Sequence, residues 1–149
     1  MNIIDYRPPR IAMSLTVMAA LAHWLLPGME TNLFNNRVPG LITGVTGFSI
    51  MMRGWWLFRI NQTAICPTAP ATFLVTGGIY RFTRNPMYLG ICLMLFGLAM
   101  YTGGLPFYLT AVLFFLIINT YFCPYEENKL TDAFGDQYQN YQRSVRRWI

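Results

Sequence analysis

The apolar residues of this chain come in long uncharged runs, not in the short alternations of a soluble domain, and that distribution limits what it can fold into. "IAMSLTVMAALAHWLL" spans Ile11 to Leu26 between Pro9 and Pro27, and a second run covers Val38 to Phe58 with Arg53 as its one charge. A third extends from Pro86 to Tyr101 and a fourth from Leu105 to Phe122. Each approaches the about 17–25 residues a helix needs to cross a hydrocarbon core, where a helix satisfies its own backbone polar groups. Charged residues are 11% of the 149, against about 25% in an ordinary soluble domain, too few to coat a globule. The expected fold is therefore all-α: an integral membrane domain of four transmembrane helices with a cytoplasmic loop and a C-terminal interfacial helical segment, residues 1–149 as one unit. Thr102 to Gly104 should join the third and fourth as an antiparallel hairpin. The first run does not read as a secretory signal, because no small-x-small site follows it and three more runs do.

Basic residues set the expected orientation. Arg7 and Arg10 precede the first run, Arg59, Arg81 and Arg84 separate the second from the third, and Lys129, Arg143, Arg146 and Arg147 follow the fourth. The other side has Arg37 alone. Both termini and the long loop should face the cytoplasm, in a bacterial inner membrane, and the net charge of +5 reads as topology and attraction to anionic headgroups. The expected partner is thus a lipid bilayer and not nucleic acid. Cys66, Cys92 and Cys123 are scattered and His23 lies inside the first run, so no metal site is expected.

Glycines punctuate the second run at Gly40, Gly44, Gly47 and Gly54 and the third at Gly90 and Gly97, spacings that suit close helix packing. Arg53 is near enough to the end of its run to reach the interface, and Trp24, Trp55 and Trp56 fit an interfacial belt. Between Arg59 and Asn85 the chain carries Pro67, Pro70 and Gly77-Gly78, a structured surface crossing longer than most connections.

Polar chemistry gathers where the third run begins, in "YRFTRNPMYLG", Tyr80 to Gly90. Asn85-Pro86 is a helix-start signature, with Asn at the N-cap and Pro at the first helical position. The first-turn N–H groups and the positive end of the helix dipole make that start a seat for an anion, with Arg81 and Arg84 beside it. The fourth run ends in "NTYFCPYEENKL", where Pro124 should bend or break the helix just before Glu126 and Glu127. On a helix continuing through that point, Asn119, Cys123 and Glu126 would share a face. An antiparallel hairpin returns the two glutamates to the surface where Asn85 lies. A pocket with an anion seat on one wall and carboxylates on the other suits a zwitterion with an extra cation. S-adenosylmethionine is one such ligand, though electrostatics alone does not name it.

"LVTGGIYRFTRNPMYLG" followed by "EENKLTDAFGDQYQNYQRSVRR" resembles the isoprenylcysteine carboxyl methyltransferase and phospholipid methyltransferase family of integral membrane enzymes. The similarity covers Leu74 to Arg147. Ile79 stands where that family usually has Pro, and Asn85 where its eukaryotic members have His. The resemblance implies methyl transfer from S-adenosylmethionine to a lipophilic acceptor, such as a prenylcysteine carboxylate, at the cytoplasmic membrane face. It implies that Tyr80, Arg84, Asn85, Pro86, Tyr88 and Leu89 line the cofactor site, with Glu126 and Glu127 at the cofactor's ammonium and ribose end. It assigns Arg81 and Tyr138 to the acceptor and Tyr141 and Arg147 to the reacting end, Arg147 orienting a substrate carboxylate.

Three other readings compete. A four-helix exporter would need an acidic residue inside a span, and every Asp and Glu lies outside the runs. A noncatalytic membrane adaptor would use the stripe Leu130, Phe134, Tyr138, Tyr141 and Val145 as an amphipathic surface helix, interrupted at Gly135. A reductase on the same fold would bind a nicotinamide. No Gly-x-Gly-x-x-Gly follows a strand, which excludes the usual soluble methyltransferase architecture.

Overall fold

The computed structural model describes residues 8–26, 28, 36–61 and 73–149, and Arg7, Pro27, Cys66, Pro67 and Pro70 lie outside them. Every element among the described residues is helical: α1 (Pro8–Leu25), α2 (Arg37–Ile60), a 3-10 turn (Gly78–Arg81), α3 (Pro86–Thr102), α4 (Leu105–Ile117), a π-helical turn (Ile118–Phe122), α5 (Cys123–Phe134) and α6 (Asp136–Ser144).

The all-α expectation holds, and the count of spans needs restating. Among the described residues one continuous helix, Leu105–Phe134, is long and apolar enough to cross a membrane by length and composition, and Pro86–Thr102 is apolar but shorter. Arginines at positions 37, 53 and 59 dilute α2. Outward faces are nonetheless apolar, with Met13, Val17 and Leu21 of α1, Leu41, Val45 and Phe48 of α2, and Leu109, Val112 and Leu116 of α4 all exposed.

The closest packing is between α2 and α3, which run antiparallel with their backbones nearly touching. A Cβ added at Gly47 would lie 2.6 Å from the Gly90 carbonyl oxygen, and one added at Gly40 would lie 2.7 Å from the Tyr101 nitrogen. Seven residues separate the contact levels on both helices, so Gly40 meets Gly97 and Gly47 meets Gly90. Gly54 reaches the start of α3, where an added Cβ would lie 2.9 Å from Met87 Cγ. The close-packing expectation is therefore met at most of these glycines. Gly44 is different: its own Cβ would meet nothing within 4 Å.

Gly103, with φ of 69°, closes α3 in the left-handed conformation and donates its N–H to the Ala99 carbonyl, so α4 folds back beside α3 as expected. α1 rests chiefly on α4, where the Thr110 hydroxyl donates to the Leu15 carbonyl at 3.3 Å. Phe114, Ile118 and Phe122 project from the α4 side into the core with Tyr88, Ile91 and Leu95 of α3, the first three with no exposure at all.

Of the bend or break expected at Pro124, the break does not occur. The helix neither breaks nor ends there, but widens into the π turn immediately before it. Proline has no N–H to give and its ring crowds the carbonyl four residues back; a turn with one extra residue relieves both conflicts. The stripe from Leu130 to Val145 does divide at Gly135, whose φ is 51°. Its apolar side faces inward against Leu74, Val75, Tyr80 and Leu57, and Tyr138 is 2% exposed. That packing removes the exposed surface the adaptor reading requires.

The glycine contacts predict a sharp contrast. Gly47→Val should lower stability by about 1–3 kcal/mol or more, because a backbone oxygen cannot move aside. Gly44→Ala should be close to neutral. Thermal midpoints of the two variants in detergent check this.

Candidate active site

A cavity of about 320 Å³ opens where α3 begins, walled by the ends of α2 and α5, the 73–75 segment, the 3-10 turn and α6. That volume is in the range of small-molecule pockets. Most of the lining is apolar and includes Met51, Trp55, Phe58, Phe73 and Leu74.

Pro86 occupies the first helical position, as expected. Asn85 lies at the N-cap position, but its side chain does not cap α3. Its Nδ2 donates instead to the Arg147 carbonyl at 3.2 Å. The α3 start is consequently left with first-turn N–H groups that have no partner within the helix. The Thr83 hydroxyl donates to the same Arg147 carbonyl at 3.1 Å, and the Arg84 N–H donates to the Arg146 carbonyl at 3.0 Å. The 145–148 segment thus underlies the 83–85 turn and fixes its conformation.

Glu127 joins the two halves of the site. Arg147 grips it as a fork, Nε to Oε1 at 2.8 Å and Nη2 to Oε2 at 2.6 Å, while Arg84 Nη2 approaches Oε1 at 3.2 Å. Paired, planar hydrogen bonds of this kind are the strong form of an arginine–carboxylate contact. They hold Arg147 in its charged form, raising its pKa further. Asn119 Oδ1 accepts from Arg147 Nη1 at 3.3 Å and from Trp148 Nε1 at 3.0 Å, and the Trp148 ring lies 5.0 Å from that of Phe115.

The expected face of Asn119, Cys123 and Glu126 is not formed. The π turn adds a residue between Asn119 and the glutamates, so Asn119 and Glu127 converge on Arg147 while Glu126 points away from Arg147 toward Tyr88. There its Oε1 accepts the hydrogen bond of the Tyr88 hydroxyl. Glu126 lies beyond the uncharged stretch Leu105–Phe122, in the cavity wall. Burial pushes its carboxyl from 4.5 up to about 7, opposed by the Tyr88 hydrogen bond and by Lys129. The two adjacent carboxylates therefore differ: one is neutralised by two arginines, the other is bonded to a neutral phenol.

Several polar side-chain atoms at the cavity lack a hydrogen-bond partner among the described residues. Arg84 Nε and Nη1 and the Tyr80 hydroxyl are buried without a hydrogen bond among the described residues. Burial raises the pKa of Tyr80, with Glu126 adding to it, so its hydroxyl remains a donor. The Tyr141 hydroxyl is engaged, donating to the Tyr80 carbonyl at 2.7 Å, a bond that holds α6 over the 3-10 turn.

The cavity brings together Tyr80, Arg84, Asn85, Pro86, Tyr88, Glu126, Glu127, Tyr138 and Tyr141. Leu89, Arg81 and Arg147 do not line it; Arg81 is exposed, and the Arg147 guanidinium is occupied behind Glu127. Sequence reasoning missed the α2 wall of Met51, Trp55 and Phe58, the 73–75 wall, and the part played by Thr83 and Trp148. The hydroxyl two residues before Asn85-Pro86 was the available signal for Thr83. For the others only the folded chain supplies one.

These elements define a helical protein whose cofactor-sized pocket lies at the threshold of an apolar helix. Residues 35–137 match the family model described as phospholipid methyltransferase, and the chain belongs to that family. It is 35% identical over 75 residues to the protein-S-isoprenylcysteine O-methyltransferase of Schizosaccharomyces pombe, covering 48% of this chain and 30% of that one. It is 35% identical over 93 residues to the methanethiol S-methyltransferase of Pseudomonas deceptionensis, covering 60% and 34% respectively. The chain thus spans about a third of the length of each of these enzymes. An uncharacterized protein of Haemophilus influenzae is 36% identical along its whole length, 63 residues. No solved structure matches.

Two outcomes follow from the geometry. Arg147→Leu should cost about 1.5–3 kcal/mol, the scale of hydrogen bonds to a charged group, and Arg147→Lys should restore only part because it lacks the fork; thermal midpoints read both. Between pH 4.5 and about 7 the folded chain keeps on Glu126 a proton that the unfolded chain has released. Stability should therefore fall as pH rises through that window and level off above it. Glu126→Gln should flatten this fall when midpoint is plotted against pH.

Proposed function

We propose that the protein is a membrane-embedded methyltransferase that moves the methyl group of S-adenosylmethionine to a lipophilic acceptor at the inner face of the bilayer. The observation carrying this reading is the unmatched polarity of the cavity at the α3 start. Arg84 Nε and Nη1, the Tyr80 hydroxyl and the first-turn N–H groups, which have no partner within the helix, offer donors to an anion, and Glu126 offers a carboxylate to a cation. A zwitterionic sulfonium cofactor satisfies both needs, so the residues fit it.

Bound there, S-adenosylmethionine would supply an activated methyl group for in-line displacement. Arg84 and the α3 start would hold its carboxylate, and Glu126 its positive charge. Glu127, already balanced by Arg84 and Arg147, would accept from ribose hydroxyls and hold the walls in register. In this assignment Arg147 positions Glu127 and Asn85 without touching an acceptor, while Tyr138 and Tyr141 close the cavity on the α6 side. An anionic acceptor needs no base, and the protein's contribution is alignment and exclusion of water.

Acceptor class is argued from the apolar lining and from the names of the relatives, one acting on an isoprenylcysteine and one on methanethiol. The exposed apolar faces of α1, α2 and α4 support embedding of the whole bundle, and the placement of Arg10, Arg59, Arg81, Arg84 and the C-terminal basic residues supports a cytoplasmic position for both termini.

Calorimetry with S-adenosylmethionine tests the reading. The protein should bind it, and Glu126→Gln should weaken binding about tenfold, the scale of one charge-assisted contact, without unfolding the chain. Unchanged affinity in the variant would remove Glu126 from the cofactor site. Radiolabelled methyl transfer to a panel of prenylcysteines, phospholipids and alkyl thiols then identifies the acceptor.

A further inference from the structure

Of the two neighbouring carboxyls, Glu127 is gripped by Arg84 and Arg147. Glu126 accepts from the Tyr88 hydroxyl instead. The Tyr88 ring is packed in the core with Ile91 of α3, Phe114 of α4 and Phe122 of the π turn, so its hydroxyl has little freedom to leave the carboxyl it faces. A phenol is a neutral donor: it favours a carboxylate without cancelling its charge.

The other groups around Glu126 do little to change that. From its own helix Lys129 favours the charged form by less than Tyr88 does, and Glu127 opposes it. Tyr80 of the 3-10 turn and Cys123, one turn back on α5, face it as groups that are uncharged near neutral pH. α6 brings Tyr138 and Tyr141 to the cavity, two further phenols, while α1, α2 and the 73–75 segment present no ionisable side chain to it. Burial therefore dominates, and the carboxyl holds its proton up to about pH 7.

We propose that Tyr88 is the positioning residue for Glu126: by donating to Oε1 it fixes the carboxyl in the cavity wall and favours its ionised form, so that binding of the cofactor's cation drives the proton from Glu126 into solvent. The inference rests on the S-adenosylmethionine reading and adds the regulation of that site. In this step the O–H bond of the Glu126 carboxyl breaks, its electron pair stays on oxygen and the proton passes to buffer. Linkage is reciprocal: a cation that prefers the carboxylate weakens the hold on the proton by the same factor as ionisation strengthens the hold on the cation. Affinity should therefore rise with pH as far as about 7 and then level off. Removing the phenol oxygen should move that rise upward, because a hydrogen bond to a charged group amounts to about one pH unit or more of preference.

Tyr88→Phe keeps the ring and deletes the oxygen. Thermal midpoints without cofactor give the first readout: the fall in stability with rising pH should run about one pH unit further in Tyr88→Phe than in the wild type. Calorimetry with S-adenosylmethionine at about pH 6.5, in PIPES and in imidazole, gives the second. Wild-type binding heats should differ between the buffers as release of about half a proton or more requires, and the difference should vanish in Glu126→Gln. Tyr88→Phe should bind about tenfold more weakly at that pH, with the deficit shrinking as pH rises. A deficit equal at every pH, or a midpoint curve that does not move, would reduce Tyr88 to a packing residue and overturn the proposal. Equal wild-type heats in the two buffers would overturn the proton release. A wild type that binds no S-adenosylmethionine would overturn the cofactor reading itself, and the midpoint curves would still decide whether Tyr88 governs Glu126.

Discussion

Pro124 sits where a helix has to remain continuous, and the site depends on how the chain accommodates it. A regular helix would present Asn119 and Glu126 on one side. The π turn at Ile118–Phe122 instead brings Glu127 round to Asn119's side and sends Glu126 across to Tyr88. From that single offset come the fork between Glu127 and Arg147, the anchoring of the 145–148 segment on Asn119, and a second carboxyl left facing the cavity. Adjacent residues in sequence thereby acquire different electrostatic environments, Glu127 between two arginines and Glu126 buried against a phenol that pairs with it.

A second constraint is the backbone contact between α2 and α3. Two apolar helices gain little from hydrophobic exclusion when their surroundings are themselves apolar, so shape and close approach decide their pairing. Gly40 against Gly97 and Gly47 against Gly90 allow that approach and set the register. Register in turn brings the end of α2, with Met51, Trp55 and Phe58, against the start of α3, and so builds one wall of the cavity. The same pairing leaves α1 on the far side against α4, and the gap between α1 and α2 is its consequence.

Much of this was legible in advance. Uncharged runs gave helices, the proline and glycine positions gave their starts and turns, and the motifs at Tyr80–Gly90 and Glu126–Arg147 gave the family. Leu89 illustrates the limit: it follows Tyr88 in a motif, yet successive helical residues point about a hundred degrees apart, so only Tyr88 reaches the cavity. Asn85 illustrates another, because its type and position predicted a cap and its side chain found the Arg147 carbonyl, sixty-two residues away.

By itself the sequence determined the helical class, the family and the polar cluster at the α3 threshold, because these follow from local composition, proline stereochemistry and residue spacing along one strand of chain. Tertiary structure alone decided which glutamate meets the arginines, which glycine packs and which does not, and that the stripe of α5 and α6 faces inward. Each of those depends on what stands opposite a residue across a packed interface. Sequence separation carries no information about that until the helices are in register.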